Sequence, residues 1–277
     1  MNPSVCIVGN SVSLLVSPPR MTPDEKTYGE NLRDRGFSII HAGKQGAMVS
    51  DVYRYLEDEA IRHFPDYVIL HFGIVESSCR AQPRWLQGFL SLNDWQNNIT
   101  GQEFNSGCAR LFKAALRKAY RQLVENFLYT AGLSWRWLSP KDFRSIYLDV
   151  IQRLLRQTSV RKIQLIGITP VTEGLERRLP GTRASTKVYN AIMEEISRKI
   201  PNTLYIDVDT PEFSSHTIDG IHFTPAGHKL LADKIEINLA GDRTSYSAWS
   251  EIKPFPLGDK LKKWTKQAKQ RNGIHRD

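Results

Sequence analysis

The 277-residue chain contains three cysteines, Cys6, Cys79 and Cys108, an odd number at irregular spacing. That supplies neither a disulfide framework nor a zinc-binding pattern, and thiols so few and so scattered fit a reducing cytoplasm, which is the expected location. Long apolar runs are absent as well. Nothing approaches the roughly 20 residues that cross a bilayer, and the apolar start Val5-Cys6-Ile7-Val8 is too short for a secretory signal and has no basic segment before it. It reads as a first strand. Internal repeats and low-complexity tracts are also missing, so a packed domain is expected rather than an array or a disordered chain.

The residues that are present suit a globular α/β enzyme. With 40% hydrophobic and 10% aromatic residues, a chain of this length builds one large core. The formal charge of +9 is unevenly spread: residues 258–277 hold seven Lys/Arg against two Asp, more than half of the excess. This basic tail, with Trp264, is expected as a solvated terminal helix capable of weak contact with an anionic surface, and no nucleic-acid partner is expected.

Short β-branched runs alternate with longer amphipathic stretches, the pattern of βαβ units around a parallel sheet. Strands are predicted at Val5–Val8, Phe37–His41, Tyr67–Phe72, Lys162–Ile168 and Thr203–Val208. Helices are predicted at Lys26–Asp34, Asp51–Phe64, Phe143–Gln157, Ser185–Lys199 and Pro225–Leu239. Gly36 closes the first helix, Ser50 or Asp51 caps the second, and Thr224-Pro225 opens the last. The fold class is therefore α/β, a three-layer α/β/α sandwich of flavodoxin-like type with a five-stranded parallel sheet. Residues 1–240 form this domain and 241–277 the tail. About 65 residues, from Ser77 to Asp142, interrupt the rhythm with Trp85, Trp95, Trp135 and Trp137. They are expected as a mostly helical insertion, clearest at Cys108–Tyr129, forming a wall or lid over the carboxyl ends of the strands.

Gly9-Asn10-Ser11-Val12 directly follows the first strand, so Ser11 is placed where a glycine lets the chain turn and present a side chain. Ser13 is a rival by residue type alone. Asp219-Gly220-Ile221-His222 lies in a loop before the last helix. A serine hydroxyl needs an imidazole to take its proton, and the imidazole needs a carboxylate to fix its tautomer. An Asp three residues before a His reaches the Nδ1 side of the ring and leaves Nε2 for the serine. The expected catalytic set is Ser11, Asp219 and His222.

These segments carry a resemblance. Gly9-Asn10-Ser11-Val12 resembles the G-D-S-L block of SGNH/GDSL hydrolases, and Asp219-Gly220-Ile221-His222 with the following Phe223-Thr224-Pro225-Ala226-Gly227-His228 is similar to their last block, D-x-x-H with its trailing proline and glycine. His41-Ala42-Gly43-Lys44-Gln45-Gly46 is similar to the second block, N-x-G-x-x-G. The resemblance implies a serine esterase whose oxyanion hole uses the amides of Ser11 and Gly43 together with an asparagine side chain. In the third block, G-x-N-D, the chain reads Gly73-Ile74-Val75-Glu76, with Val75 where the asparagine belongs. Either another group supplies that hydrogen bond or the activity is weak, altered or absent. Ser77, Ser78, Arg80 and Arg84 are the neighbouring candidates.

Asn10, His41, Gly73, Val75, Glu76 and Arg80, near the ends of the first three strands, are the expected substrate-contacting residues. An arginine there offers a fork suited to a carboxylate, phosphate or sulfate. No cofactor is expected. His41 and His71 lack a carboxylate or cysteine at ligand spacing, so no metal site is expected either. The function expected foremost is removal of an O-acyl group, above all O-acetyl, from a carbohydrate or other polar small molecule or glycan through an acyl-enzyme. The alternatives are an O-acyltransferase using the same triad, or a non-catalytic binding protein on a degenerate fold.

Overall fold

The computed structural model describes residues 2–14, 25–81, 84, 119 and 124–240. In chain order the strands are β1 (Ser4–Gly9), β2 (Ser38–Gly43), β3 (Tyr67–His71), β4 (Lys162–Ile166) and β5 (Thr203–Ile206). The α-helices are α1 (Tyr28–Asp34), α2 (Leu56–Glu59), α3 (Ile74–Ser77), α4 (Asn126–Thr130), α5 (Pro140–Gln157), α6 (Glu173–Arg178), α7 (Thr182–Lys199), α8 (Pro211–Ser214) and α9 (Pro225–Ala240). All strand pairs are parallel, in the order β2-β1-β3-β4-β5. This is the doubly wound flavodoxin-like order, which gathers functional loops at the strands' carboxyl ends.

Side-chain alternation along the strands builds the three layers. Cys6, Val8, Val68, Leu70 and Leu165 face one way and pack with Phe143, Tyr147 and Val150 of α5 and Tyr189, Met193 and Ile196 of α7. Val5, Ile7, Tyr67, Ile69 and Ile206 face the other way and pack with Tyr28 and Leu32 of α1 and Leu231, Ile235 and Leu239 of α9. Strands covered on both faces lose their polar alternation, hence the nearly continuous apolar runs in the sequence.

Local signals set the helix starts. Thr27 Oγ1 accepts the Glu30 amide and the Glu30 carboxylate accepts the Thr27 amide, a reciprocal cap that opens α1. Ser139 caps α5 ahead of Pro140, and Thr224 Oγ1 accepts the Gly227 amide at 3.1 Å ahead of Pro225. The single helix expected over 51–64 is instead three short pieces: a 3-10 turn at Val49–Arg54, α2, and another at Ile61–His63. Neither Ser50 nor Asp51 is the cap residue; Met48 is, and the Asp51 carboxylate accepts its amide at 2.9 Å. Tyr55 and Ala60, at φ −137° and −127°, then break the ladder.

Within the expected insertion, Trp135 bridges back to Arg80, and α5 begins at Pro140, so the helical body resumes slightly earlier than expected. Trp85, Trp95 and Cys108, most of the expected helix at Cys108–Tyr129, and the tail with Trp264 lie outside the described residues. Cys6 and Cys79 are buried free thiols. Among the described residues no helix is long and apolar enough to cross a membrane.

Candidate active site

At the carboxyl end of β1 the Asn10 amide donates to the His71 carbonyl of β3 at 3.2 Å, and the chain then turns into one 3-10 turn, Ser11–Ser13. Gly9 permits the approach: a Cβ on it would lie 3.0 Å from the His71 carbonyl oxygen. The Asn10 side-chain oxygen accepts the Val12 amide at 3.2 Å, while its Nδ2, fully buried, has no hydrogen-bond partner. Asn10 therefore holds the serine turn from beneath. Ser13 Oγ donates to the Asn10 carbonyl at 2.8 Å and is fully buried, so the rival hydroxyl is spent on the same turn.

The loop between α8 and α9 brings the other two groups. Its ends are pinned by the Ile218 amide on the His222 carbonyl at 2.9 Å and the Thr224 amide on the His216 carbonyl at 2.8 Å. Gly220, at φ +80°, makes the tight turn between them. Asp219 Oδ1 accepts the amides of Ile221 and His222 at 2.9 and 2.8 Å, and Oδ2 stands 2.9 Å from His222 Nδ1. His222 Nε2 in turn stands 3.1 Å from Ser11 Oγ. Burial pushes the Asp219 carboxyl up, but the hydrogen bonds from the His222 ring and from the two amides outweigh it and hold the group well below the usual carboxylate range. The carboxylate thus fixes Nδ1 as the protonated nitrogen and leaves the Nε2 lone pair facing the serine.

Beside this line opens a small pocket of about 230 Å³, counted out to open solvent. Val12, Ile74, Ile168, Ile221 and Phe223 give it apolar walls, and Gly167 and Thr169 lie at the end of β4. Behind it, His71 Nδ1 lies 3.4 Å from the Tyr28 hydroxyl, and the Tyr28 amide donates to His228 Nδ1 at 3.3 Å. Burial, with a smaller contribution from His228, lowers His71 to about 3. His228 falls to about 4, chiefly through burial. Both rings are neutral supports near neutral pH. Among the described residues no three His, Cys, Asp or Glu side chains converge on a metal position.

The remaining expected residues divide. The Gly43 amide donates to His41 Nδ1 at 3.2 Å and so is not free for an oxyanion in this arrangement. The amides of Ser11 and of Gly46, the latter at φ +68°, donate to nothing among the described residues. His41 uses its other nitrogen on the Ser13 carbonyl at 3.3 Å, and burial lowers its pKa, so it is a neutral brace for the β2 edge rather than a free ligand. Val75 packs in the core. Glu76 is fully buried, not a surface contact: Oε1 accepts the Val49 amide at 2.6 Å and Oε2 the Gly73 amide at 3.0 Å, clamping α3 to the 49–54 turn. Gly73, at φ +124°, is a packing requirement, because a Cβ there would lie 2.7 Å from Ile168 Cδ1.

The expected replacements for an asparagine donor are mostly engaged elsewhere. Ser78 Oγ donates to the Ile74 carbonyl at 2.5 Å, and Arg84 pairs with Asp51. Ser77 Oγ is buried without a partner. Arg80 lies over the Trp137 ring.

A hydroxyl, an imidazole and a carboxylate in hydrogen-bonded line at the carboxyl end of a doubly wound sheet define a serine hydrolase. Residues 8–230 match the GDSL-like Lipase/Acylhydrolase family, and the chain belongs to that family of carboxylic ester hydrolases. No curated protein matches it in sequence. Among solved structures it is similar to a lipase/acylhydrolase from Enterococcus faecalis, with TM-score 0.54 and 15% identity over 89% of this chain and 100% of that one. It is similar also to Axe2, an acetylxylan esterase from Geobacillus stearothermophilus, with TM-score 0.51 and 15% identity over 91% of this chain and 97% of that one. A third, the acetyl xylan esterase AlAXEase, has TM-score 0.51 and 17% identity over 85% of this chain and 99% of that one. At these identities the likeness is one of fold.

Proposed function

We propose that this protein is a serine esterase that removes a short O-acyl group, O-acetyl foremost, from a carbohydrate or similarly polar alcohol. The observation that carries the reading is the Ser11–His222–Asp219 line, with 3.1 and 2.9 Å between successive groups, beside a small apolar pocket. Ser11 Oγ attacks the acyl carbonyl carbon while its proton passes to His222 Nε2, and Asp219 stabilises the resulting imidazolium. The oxygen that gains charge is received by the Ser11 amide and, of the two glycines in the second block, by the Gly46 amide, both unengaged. Collapse of the tetrahedral adduct passes the His222 proton to the leaving alcohol. Water then repeats the sequence against the acyl-enzyme, releasing the acid and restoring the Ser11 hydroxyl.

The pocket supports a short acyl chain, since Val12, Ile74 and Ile168 give it apolar walls. The likeness to two acetylxylan esterases lends the same direction for the alcohol. A fluorophosphonate probe on wild type and Ser11→Ala, with acid release from acetylated xylo-oligosaccharides and from acetyl and octanoyl aryl esters, tests the reading. Labelling confined to the wild type and a preference for acetyl over octanoyl are expected. A wild-type protein that takes up no label and releases no acid from any of these esters would point instead to a binding protein on this fold.

A further inference from the structure

Arg80 is held in an unusual state for a guanidinium. Its backbone is fixed on both sides: its amide and carbonyl exchange 3.0 Å hydrogen bonds with Trp135, and the preceding Cys79 amide donates to Thr182 Oγ1 at 3.0 Å. The guanidinium carbon sits 4.3 Å from the centre of the Trp137 ring, stacked on its face. Yet Nε is buried with no acceptor, and Arg80 forms no ion pair among the described residues. Arg178, exposed at the last turn of α6, adds a like charge close enough to disfavour Arg80's own, and also forms no ion pair among the described residues. Burial dominates, lowering Arg80 to about 10; Tyr129, whose effect exceeds that of Arg178, and Glu125 offset it only in part.

A half-buried, pre-stacked, unpaired arginine beside a second cation loses solvation without regaining it from a partner, so a group of negative charge is what completes the site. Chain connectivity leads from both arginines to elements that border the reaction centre. Arg80 follows α3, whose first residue, Ile74, lines the pocket beside Ser11. Arg178 ends α6, whose Thr172 cap and Leu175 pack against Gly220 of the Asp219–His222 loop. Trp135, 41% exposed, stands alongside as an open aromatic surface of the kind on which a sugar ring stacks.

We infer that Arg80, stacked on Trp137 and seconded by Arg178, is an anion subsite for a carboxylate, phosphate or sulfate borne by the ester substrate, so that the alcohol released is an acidic rather than a neutral sugar or polyol. This rests on the esterase reading for its place in catalysis but not for the binding of the anion. The planar fork donates to two oxyanion oxygens at once, fixing the substrate at a point remote from the acyl carbon.

Intrinsic tryptophan fluorescence of the full chain is titrated with sodium sulfate and with sodium phosphate against sodium chloride at constant ionic strength. Wild type is expected to give a saturable change with the divalent anions and none with chloride. Arg80→Gln is expected to abolish it, Arg80→Lys to weaken it by about tenfold, and Arg178→Gln, an exposed site where folding is not in question, to weaken it several-fold. In parallel, the ratio of kcat/KM for 4-acetoxybenzoate to kcat/KM for neutral 4-nitrophenyl acetate is expected to fall by about tenfold in Arg80→Gln. A wild-type response to sulfate and phosphate no different from chloride, or one that persists unchanged in both Arg80→Gln and Arg178→Gln, overturns the subsite. Absence of ester turnover with intact anion binding would overturn the esterase reading and leave the subsite standing.

Discussion

Gly220 rests its bare α-carbon against Thr172: a Cβ built there would lie 2.5 Å from the Thr172 hydroxyl oxygen and 3.3 Å from Leu175 Cβ. Because Gly220 sits between Asp219 and His222, this contact sets how far the proton-handling loop stands from the serine turn. Gly220→Ala adds the clash and strains a φ of +80°. Displacement of the imidazole by even about 1 Å costs on the order of a hundredfold in turnover. The expected outcome is a kcat lowered by one to two powers of ten with fluorophosphonate labelling slowed in proportion. Gly220→Ala combined with Thr172→Ser removes a methyl but keeps the clashing oxygen and should recover little, whereas Thr172→Ala should recover part of the loss. Full activity in Gly220→Ala alone would show that the loop is not positioned by this contact.

The two roles of the Asp219 carboxylate are separable. Asn at this position retains an oxygen for the Ile221 and His222 amides but turns a donor toward His222 Nδ1, forcing the proton onto Nε2 and away from general-base duty. Asp219→Asn is therefore expected to fold normally and to lose about three to four powers of ten in kcat with KM little changed. Circular dichroism and single-turnover kinetics check both halves. A loss smaller than about tenfold would mean that the carboxylate only shapes the loop.

Ser11 and Ser13 lie two residues apart on one 3-10 turn, but only Ser11 Oγ meets an imidazole. Ser13 Oγ is committed to the Asn10 carbonyl. Ser13→Ala should keep covalent labelling and lower thermal stability by about 1 kcal/mol through the lost buried hydrogen bond. Ser11→Ala should abolish labelling with stability unchanged or raised. Mass spectrometry of the labelled peptide decides between them.

The sheet and the Ser11, Asp219 and His222 constellation were legible because each depends on short-range pattern: apolar runs of strand length, a turn after the first strand, and a D-x-x-H segment before a Thr-Pro cap. Thr27-x-x-Glu30, the capping box at the start of α1, is a local signal of the same kind. The burial of Glu76 is not legible, because the sequence shows a charged residue near a strand end and not the two amides, from Val49 and Gly73, that draw it into the core. The same holds for residues 49–63, where amphipathic spacing suggests one helix and Asp51 competes for its first amide. Gly43 looked free in the sequence, and only the geometry reveals that the ring of His41, two residues before it, takes its amide. Tertiary hydrogen bonds of this kind leave no periodicity to read.

The buried titratable groups around the site pull the pH dependence of stability in opposite directions. His71 and His228 fall from about 6.5 to about 3 and about 4 in the fold, so the unfolded chain binds more protons below pH 6.5. Their contribution is complete above that value and is lost as pH falls towards 4. Glu76 goes the other way: burial raises it from 4.5 to about 7 despite the amides that it accepts, so the folded state holds its proton where the unfolded state has released it. Stability from Glu76 is complete below 4.5 and is lost as pH rises through 7. Between pH 5 and pH 6.5 the two histidines together gain more stability per pH unit, about 1.4 kcal/mol each, than Glu76 loses, so urea midpoints are expected to rise from pH 5 to about pH 7 and to be nearly flat above it. Glu76→Gln cannot ionise and should lower stability overall while enlarging the rise between pH 5 and pH 7 by about 2 kcal/mol. A rise of wild-type steepness in Glu76→Gln would assign the opposing slope to another group.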